Sequence, residues 1–190
     1  MNTTVLLLAA GSSRRFGGDK RLARLPCGSS VLQRTVATIR QSGLSCFVVL
    51  ADGDEAIGAQ LTAQQIHWDM CPDAHLGMGH SLAFGVQACR QASGWLIALA
   101  DMPYIHASTY LHVAQQLQQH NIVVPMYQHQ RGHPVGFSQR HAKALLQCHG
   151  DQGARHLMQQ YAVHYLPTDD AGILTDIDRP TDIMSAPIKR

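Results

Sequence analysis

At 190 residues, 45% hydrophobic and 15% charged, the chain is long enough to bury a sizeable core and lies far from the profile of disorder. Fifteen Lys plus Arg against thirteen Asp plus Glu leave a formal charge of +2, too little for a nucleic-acid or membrane surface, so any anion site must be local. Five well-separated cysteines without a C-x-x-C pair give no zinc or dithiol motif and predict reduced thiols in a cytoplasmic protein, and the twelve scattered histidines receive no metal role as a group.

The first element is the apolar run Val5 to Ala10. No basic segment precedes it and it stops at Gly11, so it reads as a central parallel strand and not as a signal segment. A Gly/Ser-rich turn follows as far as Gly18. Ser30 is placed to cap a helix over about 31–41, with Leu32, Val36 and Ile39 on one stripe and Gly43 past its end. A strand at 46–50, a helix over about 54–64 and a short strand at 66–68 continue the βαβ pattern. Gly77-Met78-Gly79 opens a helix to about 91, and a second buried strand at 95–100 delivers Asp101 at its carboxyl end, where open α/β sheets bind ligands.

Beyond it the pattern predicts a helix at 106–120, strands at 122–125 and 134–137, helices over about 139–147 and 152–160, and a strand at 163–166. The fold expected is a three-layer α/β sandwich on a mostly parallel, Rossmann-like twisted sheet, with a mixed elaboration in the C-terminal half. No repeat or linker divides it, which predicts one domain over 1–190.

The stretch Leu8-Ala9-Ala10-Gly11-Ser12-Ser13-Arg14-Arg15-Phe16-Gly17-Gly18-Asp19-Lys20 carries the clearest chemistry. Its glycines let backbone amides approach an anion, and Arg15 and Lys20 supply charge for a triphosphate. It is neither a Walker A loop nor a dinucleotide fingerprint. Composition alone also fits a Gly/Ser loop with two solvated cations. Asp101 suits a magnesium ligand, or else an N-cap before Pro103. Gly77, Gly79 and Ser81 offer amides and a hydroxyl to a base or ribose, although a helix start explains them without a ligand.

The loop motif resembles the opening signature of the MobA/MocA branch of the NTP transferases. So do Gly77-Met78-Gly79-His80-Ser81-Leu82, Leu99-Ala100-Asp101-Met102-Pro103, Gly132-His133-Pro134-Val135-Gly136-Phe137, Gly150-Asp151-Gln152-Gly153-Ala154-Arg155 and Asp176-Ile177-Asp178-Arg179-Pro180-Thr181-Asp182. The six segments span residues 8 to 182 in the family's order and look most like the MocA-type cytidylyltransferases.

The resemblance implies a magnesium-dependent nucleotidyltransferase that moves a nucleoside monophosphate from an NTP, CTP favoured, to the phosphate of molybdopterin, releasing pyrophosphate. It divides the chain into an NTP-binding half to about 105 and an acceptor half beyond it. Asp178 matches the second metal ligand, with Asp176 on the same face if extended; the alternative is a surface turn capped by Thr181 or Asp182. His133, Pro134, Asp151 and Arg155 match the acceptor side, with Asp151 capping the helix that presents Arg155, while Asp19 and Arg131 are borderline. A molybdoenzyme or its chaperone would be a partner. The alternatives are GTP as donor, which an L-A-G-G opening would favour over Ala10, a sugar or alcohol phosphate acceptor, and a non-catalytic delivery protein that binds nucleotide or cofactor.

Overall fold

The computed structural model describes residues 2–11 and 16–185. β1 (Thr3–Leu8) is buried along its whole length, and its side chains alternate between two cores, Val5 and Leu7 on one side and Leu6 and Leu8 on the other. That is why its sequence runs apolar without interruption. β2 (Ser45–Ala51) and β4 (Gly94–Leu99) flank it in parallel, Leu6 pairing with Phe47 and Ile97, and β3 (His67–Cys71) extends the sheet beyond β2.

On the other side of β4 the pattern changes. β5 (Ile122–Tyr127) turns through Gln128 and His129, both in the left-handed region at φ 45° and 63°, into the two-residue β6 (Gln130–Arg131) and then β7 (Val135–Ser138). β7 is inserted between β4 and β5 and runs antiparallel to both. β8 (His164–Pro167) closes the far edge parallel to β5. The expected mixed elaboration is this inserted hairpin arm.

α1 (Val31–Gln41), α2 (Glu55–Ala63) and α4 (Ala107–Gln116) cover one face of the sheet, and α3 (Met78–Ala88), α5 (Ala142–Leu146) and α6 (Leu157–Gln160) the other. The result is three layers. Ser30 caps α1 as expected and does so reciprocally: its hydroxyl accepts from the Gln33 N–H, and the Gln33 side chain accepts from the Ser30 N–H.

The helix predicted over 152–160 shrinks to α6, residues 151–156 forming turns. Gly150 and Gly153 adopt φ of 62° and 52°, a left-handed conformation that breaks a helix. Asp151 therefore caps no helix, and Arg155 is not presented from one. No helix among the described residues is long and apolar enough to cross a membrane.

Candidate functional site

The carboxyl ends of β1 and β4 open into a cleft of about 550 Å³, whose walls include Leu8 to Gly11, Lys20, Gly77, Ser81, Asp101 and Asp151. Ala10, Gly11, Arg21, Ala74 and His75 also line a second compartment of about 470 Å³, completed by Asp19, Ala51, Asp52, Cys71 and Pro72. The two form one branched depression. Composition and spacing did not reveal its second wall, because nothing in residues 51–52 and 71–75 is chemically distinctive until β2 and β3 bring them together.

Lys20 stands at the centre of the first compartment. Its Nζ lies 2.6 Å from Asp101 Oδ2 and 2.9 Å from Asp178 Oδ1, so two carboxylates separated by 77 positions in sequence converge within reach of one cation. Burial alone would lower the lysine's pKa, but the hydrogen bonds it donates to both carboxylates outweigh it and raise the value. Asp101 Oδ1 is buried and has no hydrogen-bond partner among the described residues. A buried carboxylate oxygen left unpaired is costly, and a divalent cation shared with Asp178 is a group that would satisfy it, so the residues present fit a metal.

Asp178 reaches this position through three backbone and side-chain contacts. The Ile177 N–H donates to the Asp101 carbonyl at 2.9 Å, and Asp182 accepts from the N–H groups of Asp178 and Arg179. Upstream, the carboxylate of Asp170, 2% exposed, accepts from the His106 N–H, the Thr109 hydroxyl and the Gly172 N–H. It fastens the segment leading to Asp178 onto the start of α4. Its sequence context, one aspartate after another in a polar stretch, gave no signal of this.

The charge of Asp176 faces His133. Burial lowers the His133 pKa, opposed by the Ile97 carbonyl 3.4 Å from Nδ1 and by the charges of Asp101 and Asp176. Pro134 is buried behind it. Arg155 is exposed and does not line the cleft. Ser12, Ser13 and Arg15 of the loop lie outside the described residues.

Gly77 and Gly79 have a second role that sequence did not show. A Cβ on Gly77 would meet the Gly150 carbonyl carbon at 2.4 Å, and one on Gly79 the His149 backbone at 2.6 Å. The Gly79 N–H donates to the Gly150 carbonyl at 2.7 Å. This glycine turn thus seats the 149–151 loop, bringing Asp151 to the cleft.

The Arg21 guanidinium turns away from Lys20's carboxylates and is held bidentately by both Asp19 and Asp54. Burial works against its charge, but those two carboxylates raise its pKa further.

A three-layer α/β sheet with a glycine turn, a lysine and paired carboxylates at its strand ends defines a nucleotide-handling protein of the doubly wound class. The chain is a nucleotidyltransferase of the MobA-like NTP transferase family, whose domain model matches residues 5–165. It is 32% identical to the purine catabolism protein PucB of Bacillus subtilis, over 93% of this chain and 92% of that protein. A probable molybdenum cofactor guanylyltransferase of Opitutus terrae is 35% identical over 54% of this chain and 49% of its own length. Among solved structures, Rv0371c of Mycobacterium tuberculosis superposes with a TM-score of 0.86 at 26% identity, covering 97% of this chain and 96% of that one. A second structure of Rv0371c is a complex with manganese, at 24% identity and a TM-score of 0.83 over 97% of each chain.

Proposed function

We propose that the chain transfers a nucleoside monophosphate from an NTP, with CTP favoured, to the phosphate of molybdopterin. The observation that carries this reading is the convergence of Asp101 and Asp178 on Lys20, with one oxygen of Asp101 buried and unpaired. Ala10 in L-A-A-G favours cytidine over guanosine. The relative named as a guanylyltransferase, and the manganese complex of Rv0371c, support a nucleotide donor and a divalent cation.

Asp101 and Asp178 would hold a divalent cation, magnesium by preference, which would neutralise the triphosphate and polarise its phosphorus–oxygen bonds. Lys20 exchanges its carboxylates for phosphate oxygens when the nucleotide enters. The amides of Ala10 and Gly11 are offered to the phosphates, and Arg15, which lies outside the described residues, is assigned to them by its place in the motif alone. His133 and Asp151 face the acceptor. An oxygen of the acceptor phosphate attacks the α-phosphorus in line, the bond to the β-phosphate oxygen breaks, and pyrophosphate leaves. Phosphate is already an anionic nucleophile, so no general base is required; positioning and charge neutralisation carry the rate.

Incubating the protein with magnesium and each of the four NTPs, with and without molybdopterin, tests this by pyrophosphate release. Release with CTP that requires molybdopterin is the expected result. Release with GTP instead keeps the chemistry and changes the donor, whereas nucleotide binding without release in any combination rejects catalysis on this acceptor and favours a delivery role.

A further inference from the structure

Arg21 has five N–H donors and uses all of them: Nε and Nη2 on the two oxygens of Asp19 at 2.9 and 2.7 Å, Nη1 and Nη2 on the two oxygens of Asp54, and Nη1 on the Ala9 carbonyl at 2.6 Å. Asp54 in turn accepts from the Ala51 N–H, and Asp19 from the Arg21 N–H. One side chain therefore joins the end of β1, the loop that carries Lys20, and the turn after β2. These segments supply the walls of both compartments, and Arg21 lies on their shared boundary.

The arrangement is not explained by stability. A partly buried ion triad costs desolvation that offsets much of its attraction, and apolar residues of equal volume often stabilise as well. What they lack is directional bonding that fixes separate loops in one geometry. Nor is Arg21 a phosphate ligand, since its donors are saturated and its charge is exceeded by two carboxylates. Adjacent residues of one short turn have divided the work: Lys20 points to Asp101 and Asp178, Arg21 to Asp19 and Asp54.

We infer that Arg21 is a positioning residue for nucleotide capture: clasped by Asp19 and Asp54, it holds Lys20 and the Ala9–Gly11 turn in register for the triphosphate and touches no phosphate itself. The inference rests on the reading of the cleft as an NTP site. It makes a specific demand on energetics, because the share of its effect that acts through Lys20 is lost once Lys20 is gone, whereas the effect of a residue that merely supports the fold adds in full.

Calorimetric titration with magnesium and the preferred NTP, without acceptor, measures this in the wild type, Arg21→Lys, Lys20→Met and the double variant. Arg21→Lys keeps the charge and loses the five-donor fork, and it weakens nucleotide binding roughly tenfold. In the Lys20→Met background the same change weakens it by less than about threefold. Asp54→Asn, which retains a neutral acceptor, loosens the clasp more mildly and weakens binding about threefold in the wild-type background. It serves in place of Arg21→Lys if that variant does not fold, its effect likewise shrinking when Lys20 is replaced. Unchanged affinity in Arg21→Lys, or losses that add in full in the double variant, overturn the positioning role while leaving the NTP site standing. A wild-type protein that takes up none of the four NTPs overturns both.

Discussion

Gly79, in the first turn of α3, and Gly18, in the loop before Lys20, answer to different physics. A methyl on Gly79 would press into the His149 backbone at 2.6 Å, while one on Gly18 meets nothing within 4 Å. Gly79→Ala is expected to destabilise by roughly 2 kcal/mol or more, and Gly18→Ala to stay within roughly 0.5 kcal/mol; urea unfolding of the two variants distinguishes them. His141 gives a prediction in pH. It is 8% exposed and packs edge-on against Tyr161, and burial lowers its pKa. The unfolded chain binds a proton near pH 6.5 that the folded one resists, so the contribution of neutral His141 is complete above that pH. It is lost as pH falls through the lowered folded value. His141→Phe should flatten the decline of Tm between pH 7 and 5, and parallel declines in variant and wild type would contradict this.

Among the elements, the segment from Asp170 to Asp178 matters most to the site although it holds no strand or α-helix. Asp170 fastens it to α4, and the Ile177 N–H fastens it to the Asp101 carbonyl. Asp170→Ala removes the acceptor for three donors, leaving the Thr109 hydroxyl buried without it, and should cost about 3 kcal/mol or more. The same variant should lower turnover at temperatures where it remains folded, because Asp178 loses its register with Asp101. Turnover at the wild-type level in folded Asp170→Ala would show that the segment is held by other contacts.

The strands of the parallel core were legible from sequence because burial on both faces leaves no polar alternation to confuse them. α6 was not, since the spacing in 152–160 does not show that Gly153, and Gly150 just before that span, take a left-handed backbone where the loop docks onto Gly77 and Gly79. The insertion of β7 between β4 and β5 was legible only as a loss of βαβ rhythm. Strand order depends on pairings that a short apolar run such as Val135–Ser138 does not specify.

Across the whole molecule, charge is distributed differently from its linear pattern. Lys20 and Arg21, neighbours in a basic cluster, are each shared between two carboxylates, of which only Asp19 is near in sequence, so the described part of the cleft is acidic despite a formal charge of +2 for the chain. A triphosphate enters such a cleft with a divalent counter-ion, and chelation with EDTA is expected to abolish nucleotide binding as well as turnover; binding that survives chelation would contradict this. Asp101 was legible as a candidate ligand because it ends a buried strand. Its pairing with Asp178 came from the resemblance, and the clasp on Arg21 was invisible, because a cation's partner 33 residues away leaves no trace in local pattern.

The most direct test compares pyrophosphate release by the wild type and Asp101→Asn at saturating magnesium and NTP with acceptor present, together with Tm. Asparagine keeps the side chain's shape and removes the charge that holds the cation. The account predicts a loss of roughly 10² or more in rate with Tm shifted by only a few degrees, since the variant also relieves an unpaired buried carboxylate oxygen. Release at the wild-type rate, or a loss matched by collapse of Tm, would contradict a cation held by Asp101 at the centre of the reaction.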